Sequence, residues 1–358
     1  MMKRIIVICA LCLVAILAVA GCSGKSGEEK SQPPGETVQE GKPMNTEKRM
    51  EIYLAGGCFW GVEGYFKQVP GVLETFVGYV NGKGEQTSYY KIGTTGHAEA
   101  LKLVYDANRI HLAEILAHYF RIIDPTSLNR QGNDVGTQYR TGIYYTDEDQ
   151  KKVCLEAMAV EQKKHEKPLV VELEPLKNYV PAENSHQDYL EKNPRGYCHI
   201  DLSLAGKPLY EKHAKPGDGD LKKKLSDLEY DVTQNAATER PYTSQYHRVG
   251  KAGIYVDVAT GQPMYSSDDK YDAGCGWPSF TMPITTGANA YLKDNSLGID
   301  RVEVKSTDGD SHLGHVFEDG PADTGGLRYC INGASLRFIP RGKMAEEGYE
   351  EYLPYVVK

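Results

Sequence analysis

Residues Gly56 to Gly61 read Gly-Gly-Cys-Phe-Trp-Gly. They follow a short alternating apolar run, Met50 to Ala55, and precede helically spaced residues from Val62 to Val69, so Cys58 is expected where a strand hands over to a helix. Such a position suits a reactive thiol. Unpaired backbone N–H groups and the positive end of the helix stabilise a thiolate there, and flanking glycines let another molecule approach the backbone. Phe59 and Trp60 would set aromatic faces beside the sulfur. A buried cysteine in a tight turn is the plainer alternative, but two aromatics between glycines make a poor turn and a good small apolar pocket. A second thiol, Cys330, lies in the strand-like run Arg328-Tyr329-Cys330-Ile331-Asn332-Gly333; no helix dipole need activate it, and a histidine could do so instead. The third group is a carboxyl. Ala98 to Tyr105 alternates so that Glu99, Leu101, Leu103 and Tyr105 share one face, and if the leucines are core, Glu99 points inward too. Burial disfavours its anion and makes it a proton donor near neutrality, unless it is paired with a buried Arg or Lys.

The elements that must hold these groups follow from the pattern of the whole chain. Its 358 residues, 40% hydrophobic and 25% charged, are enough for two domains of about 150 residues each. A net charge of −8 argues against a nucleic-acid binder, and the tight basic run Lys222 to Lys224 reads as a solvated helix face. The 25 tyrosines hint at polar-tipped pockets. Met1 to Cys22 opens with Lys3 and Arg4, runs uncharged from Ile5 to Ala18 and ends in small residues, which reads as an export signal. Residues 22–49 are too polar to bury a core and predict a flexible tether. From 50 to 205 strand-like and helix-like segments mix, as in an α/β or α+β domain. His111 to Ile123 is an amphipathic helix stopped by Asp124-Pro125, and Thr146 with Asp149 looks like a capping pair for a second helix that buries Cys154 as packing. Gln131 to Arg140 is a polar, glycine-rich loop of the kind that serves a site. Residues 206–220 have the composition of a linker. Residues 221–344, with a hairpin around Thr260-Gly261, predict a mainly β domain, and 345–358 a C-terminal tail.

Three resemblances sharpen this. Val19-Ala20-Gly21-Cys22 resembles the lipobox of bacterial lipoproteins, which implies cleavage before Cys22, acylation of that thiol, and an extracytoplasmic, membrane-anchored protein of the bacterial cell envelope. Glu51 to about Ser203 resembles the A-type peptide methionine sulfoxide reductases, through Gly56 to Gly61, Gly96-His97-Ala98-Glu99, the loop at 131–140, His186 to Leu190 and Gly196-Tyr197-Cys198. That resemblance implies Cys58 as nucleophile, Glu99 as proton donor to the sulfoxide oxygen, Tyr89 and Tyr139 as its hydrogen-bond donors with Asp134 in support, Phe59 and Trp60 around the substrate methyl group, and Cys198 as resolving thiol. Leu221 to Phe338 is similar to the B-type reductases through Gly274 to Phe280, His312 to Phe317 and Arg328 to Gly333. There the match implies Cys330 as nucleophile, Cys275 as resolving thiol, Trp277 as the methyl-binding wall, and His312, His315 and Asn332 as polar residues of the site. His312 and His315 have opposite parity on a strand, so Gly314 must bend the chain if both are to face the sulfur. Many B-type members carry a structural zinc on two Cys-x-x-Cys pairs. The matching positions here hold Asp257 with Thr260 and Ser306 with Gly309, so no zinc is expected.

The reading is a bifunctional oxidoreductase that returns both epimers of methionine sulfoxide in oxidised, exported proteins to methionine, S in the first domain and R in the second. Each cycle passes through a Cys sulfenic acid and a disulfide that an external dithiol such as thioredoxin reduces. No thioredoxin-like segment precedes Glu51, so the donor is expected to be another protein. The linker predicts halves that act independently, and the glycines beside Cys198 and Cys275 predict resolving thiols that wait outside bonding distance. The rival reading is a non-catalytic exported lipoprotein with its cysteines as permanent staples. General thiol-disulfide exchange is disfavoured, because the five cysteines beyond residue 50 include no Cys-x-x-Cys.

Overall fold

The computed structural model describes residues 47–358 apart from Val249, Leu297 and Ile299. The export signal, the lipobox with Cys22, and most of the tether lie outside the described residues. Among the described residues no helix is long and apolar enough to cross a membrane.

The first half opens with β1 (Arg49–Gly56), α1 (Phe59–Phe66), β2 (Val72–Val80), α2 (Ile92–Thr95), β3 (Ala98–Asp106) and α3 (Leu112–Ile122). Two-residue strands β4 (Arg130–Gln131) and β5 (Asp134–Val135) follow within the polar loop. Then come β6 (Thr141–Tyr145), α4 (Glu148–Gln162), β7 (Glu172–Pro175), β8 (Tyr179–Pro181) and α5 (Tyr189–Lys192). Six of the strands form one mixed sheet, ordered β7-β6-β1-β3-β2-β8, antiparallel except at β6–β7. Both faces are covered, as strand alternation requires. Ile52, Leu54, Leu101, Leu103 and Tyr105 join a core with α1 and α3, whereas Tyr53, Ala55, Ala98 and Ala100 pack on the other side. Glu99 has the parity of Leu101 and so lies on the α1 face. Truncating any one of these fully buried leucines would cost about 2–5 kcal/mol.

Two local readings shift. α3 ends at Ile122 because Ile123 is already extended ahead of Asp124-Pro125, where the proline ring disfavours helix. The cap of α4 is Asp147, whose side chain accepts from the N–H of Gln150 at 2.8 Å. Thr146 cannot serve, since its hydroxyl is engaged with Gln150 Oε1 at 3.2 Å. Cys154 is fully buried in α4, as packing requires.

The second half starts with α6 (Asp218–Lys224), which exposes Lys222 to Lys224, and α7 (Asp227–Asn235), opened by a Ser226/Glu229 capping box. The hairpin expected around Gly261 joins β9 (Gly253–Asp257) to β10 (Pro263–Ser266). Beyond it lie β11 (Lys270–Tyr271), β12 (Ser279–Phe280), β13 (Asn289–Asp294), β14 (Arg301–Ser306), β15 (His312–Phe317), β16 (Arg328–Ile331) and β17 (Leu336–Pro340). They build a three-stranded sheet, β10-β9-β17, and a six-stranded one, β11-β12-β16-β15-β14-β13, all antiparallel. An α/β half is thus followed by a mainly β half.

The segment between them is not a free tether. Arg121 donates to the carbonyls of Leu204, Lys207 and Pro208, the N–H of His213 reaches Asp308 at 2.8 Å, and the hydroxyls of Tyr210 and Tyr355 meet at 2.8 Å. The halves also touch directly. Glu114, buried at the start of α3, accepts from the N–H and the hydroxyl of Thr286 at 3.0 and 2.6 Å. His111 stands 3.2 Å from Asp269, and Ala113 belongs to the core of the second half. The C-terminal residues turn back onto α4 through Arg341–Glu156 and Lys163–Glu350. Linker composition could not show this, because what binds the segment is a surface made by residues far away in the chain. Glu114→Ala would leave two donors of Thr286 without their partner and should cost about 1–3 kcal/mol. Calorimetry should show one thermal transition for the native protein and two for the variant; a single unshifted transition in the variant would remove Glu114 from the account.

Candidate active sites

Cys58 is the N-cap of α1, with extended dihedrals that end β1 before the helix begins. It is only 6% exposed. Gly57 has φ +82°, and a Cβ there would come within 2.5 Å of Gln131, so the turn admits only glycine. Glu99 is 1% exposed on the neighbouring strand, and the N–H of Phe59 donates to its Oε2 at 3.2 Å. Burial pushes the Glu99 carboxyl up to about 8, against the pull of that N–H. Among the described residues no Arg or Lys forms an ion pair with it.

Cys58 departs from the thiolate expected at a helix start. Burial raises its pKa, the charge of Glu99 raises it further, and the N–H of Trp60 only partly offsets them. The resting group is a thiol, since one helix turn cannot repay the desolvation of an anion.

Around this pair the structure gathers the expected residues. Tyr89 packs on His186 with ring centres 4.7 Å apart, whereas adjacent Tyr90 is 95% exposed. Tyr89 and Tyr139 each lie within the fields of Glu99, Cys58, Asp134 and one another, and burial raises both phenols. Phe59 is buried against Tyr79, its ring 5.9 Å away. Trp60 stacks on Tyr189 at 3.7 Å and donates its indole N–H to His186 Nδ1 at 3.2 Å. Cys198 lies against α1, its Sγ 3.1 Å from where a Gly61 Cβ would stand, and it points to the carbonyl of Ile200 at 3.2 Å. Both cysteines are free thiols. Two supports escaped the sequence. Glu183 accepts from Tyr79 and from the N–H of Tyr89, at 2.7 and 3.0 Å. His199 sits 3.7 Å from Asp134.

In the second half Cys330 occupies β16, paired with Ser279 on one side and His315 on the other. Burial first, and then the neighbouring thiol, push it up to about 12; Arg328 opposes them. The Sγ of Cys275 is 3.7 Å away, in contact rather than held at a distance, yet well beyond the roughly 2.05 Å of a disulfide. Burial would raise Cys275 as well, but Ser279 Oγ at 3.4 Å, the backbone of Trp277, the Cys330 thiol and the charge of Arg328 hold it below its ordinary value. Both expected histidines come to one place, with rings 5.6 Å apart. The bend falls where β15 pairs with β14: His312 faces Lys305 and Gly314 faces Val304, which leaves Leu313 as the extra residue of a bulge. A Cβ on Gly314 would lie 2.1 Å from the Cys330 carbonyl. His312 Nδ1 is 2.6 Å from Glu303, and its buried Nε2 has no partner; His315 Nε2 is 2.7 Å from Asp294.

Asn332 does not present free polar groups to the sulfur. Its Oδ1 accepts from the N–H of Glu239 and its Nδ2 donates to the carbonyl of Leu313, each at 3.0 Å. Glu239, missed in the sequence, also takes the N–H groups of Gly333 and Ala334, while its own carbonyl accepts the Trp277 indole at 3.2 Å. Arg328, also missed, grips Asp319 twice at 2.8 Å and lies over Phe317.

Asp257, Thr260, Ser306 and Gly309 do converge. Asp257 Oδ2 accepts from Thr260 and Ser306 at 3.0 and 2.8 Å, and a Cβ on Gly309 would fall 2.5 Å from that oxygen. The position is filled by hydrogen bonds and offers no thiolate, so its residues do not fit a structural zinc. Among the described residues no cluster of His, Cys, Asp and Glu could hold a metal.

Two pairs of free thiols, Cys58 with Cys198 and Cys275 with Cys330, each set among aromatic and ionisable groups, define a two-centre thiol oxidoreductase. The peptide methionine sulfoxide reductase family model matches residues 50–217, and the SelR domain model matches residues 225–340. The crystal structure of Mxr1 from Saccharomyces cerevisiae in reduced form is 35% identical, covering 45% of this chain and 94% of that one, with a TM-score of 0.42. Methionine sulfoxide reductase A of Corynebacterium diphtheriae is 32% identical over 45% and 81% of the two chains, with a TM-score of 0.39. Mxr1 in complex with Trx2 is 25% identical over 43% and 90%, with a TM-score of 0.30. The chain belongs to the methionine sulfoxide reductases, with both types of domain fused. Its first half reduces the S epimer and its second the R epimer.

The Glu99 carboxyl gives a pH signature. Its folded pKa lies above the ordinary 4.5, so its contribution to stability is complete below that value and is lost as pH rises through about 8. Glu99→Gln does not titrate. The variant should gain stability relative to the native protein between pH 5 and pH 8 in paired denaturant titrations; a constant difference would mean the carboxyl is not held protonated.

Proposed function

We propose that Cys58 is the nucleophile of the first half and Glu99 its acid. The observation that carries this is the carboxyl buried beside the buried thiol at the start of α1, where burial pushes its pKa up to about 8. The sulfur of Cys58 attacks the sulfoxide sulfur, the S–O bond breaks, and Glu99 protonates the oxygen as it transfers to Cys58. The thiol proton returns to Glu99, so the products are methionine and a sulfenic acid. Tyr89 and Tyr139 hydrogen-bond the oxygen with Asp134 behind them, while Phe59 and Trp60 hold the methyl group. Cys198 then condenses with the sulfenic acid to a disulfide and water.

In the second half the same sequence runs from Cys330 to Cys275, with Trp277 against the methyl group and His312 and His315 as the polar groups. Asn332 positions the end of β16. This half works without zinc. A thioredoxin-like dithiol reopens each disulfide by exchange, through a mixed disulfide. Cys58→Ser should abolish reduction of the S epimer and spare the R epimer, and Cys330→Ser should do the reverse. Assays with separated epimers decide this, and loss of both activities from one change would contradict two separate nucleophiles.

We propose further that the mature chain is a lipoprotein anchored through Cys22 outside the cytoplasm, where it repairs oxidised exported proteins. The support is the charged start, the apolar run and the small residues before Cys22. A single acyl chain binds only marginally, so the anchor would carry several. Mass spectrometry should find an N-terminus beginning at acylated Cys22; an intact Met1 or a bare Cys22 would contradict it.

A further inference from the structure

The two neighbours of Cys198 converge on one carboxylate. Tyr197 donates its hydroxyl to Asp134 Oδ2 at 3.0 Å, and His199 Nδ1 lies 3.7 Å from the same oxygen. Cys198, between them, turns to the carbonyl of Ile200 and the face of Gly61.

The His199 side chain is only 8% exposed, and its ring lies between the backbone of Gly56, at the end of β1, and the carboxylate of Asp134. Burying an imidazole costs desolvation that an apolar side chain of similar size would avoid, so filling space does not account for the residue. Its socket is made by glycines. A Cβ on Gly57 would come within 3.2 Å of His199 Cε1, and one on Gly132 within 3.1 Å of His199 Cβ. The socket therefore shares its wall with the turn that presents Cys58. Asp134 belongs at once to the field around Cys58, Glu99, Tyr89 and Tyr139 and to this grip on the resolving segment.

We propose that Tyr197 and His199, acting through Asp134, are positioning residues for the second step of the S-sulfoxide cycle. They hold Cys198 within reach of oxidised Cys58. The inference rests on Cys198 being the resolving thiol. In that step the Cys198 sulfur attacks the sulfenic sulfur of Cys58, the S–O bond breaks as the S–S bond forms, and the oxygen leaves as water with the thiol proton. An error of one ångström in such an approach costs about a hundredfold.

The test uses pre-reduced full-length protein and a peptide S-sulfoxide. It follows methionine formed in the first turnover, loss of thiols to disulfide, and sulfenic acid trapped with dimedone. In His199→Ala and in Tyr197→Phe/His199→Ala, the first turnover should stay within about twofold while disulfide formation slows about tenfold or more, and the dimedone adduct should accumulate. His199→Asn, which keeps a donor for Asp134, should recover part of the rate. Disulfide formation at the native rate in the double variant would overturn the proposal, as would a tenfold or greater fall in the first turnover. A Cys198→Ser control that still forms its disulfide at the native rate would instead overturn the resolving role itself.

Discussion

A carboxyl group and a thiol are buried together where β1 meets α1, and the first half is arranged around that fact. Neither could hold a charge there without large cost, so each rests in its neutral form and the two share an apolar pocket. Glu99 cannot retreat, because it sits on β3, with a strand paired on each side. Cys58 cannot retreat either, because Gly57 and Gln131 fix the turn beneath it. In the proposed reaction, charge develops only when a sulfoxide brings its own polar oxygen into the pocket, and that confines the stabilising interactions to the reacting state.

The second half meets the same demand with different materials. No helix starts at Cys330; it sits on a strand flanked by β12 and β15, and its polar company comes from a bulge that swings His312 to the side of His315. The thiols differ in posture as well. Cys275 already touches Cys330, whereas Cys198 is turned away toward Ile200. If these thiols resolve the proposed sulfenic acids, the first half has further to bring its second sulfur than the second half does.

What the sequence disclosed and what it hid separate along one physical line. Cys58 was legible because its glycines and aromatics are adjacent to it, and Glu99 because strand parity ties it to Leu101 and Leu103. The bend at Gly314 followed from the parity of two histidines. Glu183, Glu239, His199 and the Arg328–Asp319 pair were not legible, since each is defined by partners that folding brings together from elsewhere. The thiolate expected at Cys58 failed for a related reason: a helix start is visible in sequence, but the depth of burial that opposes it is not. The same blindness made residues 206–220 look like a loose linker, although Tyr210 and Arg121 bind them down.

The joint at Asp257, Thr260, Ser306 and Gly309 has a consequence for the conditions in which such a protein operates. A fold clasped by metal thiolates is vulnerable to the very oxidants that create methionine sulfoxide, because oxidising a ligand sulfur releases the metal and loosens the fold. Here the clasp consists of a carboxylate and two hydroxyls. Peroxide or hypochlorous acid finds no sulfur in it. Under the proposed reaction, oxidation in this half falls on two cysteines that a dithiol can restore, while this clasp offers the same oxidant nothing to attack.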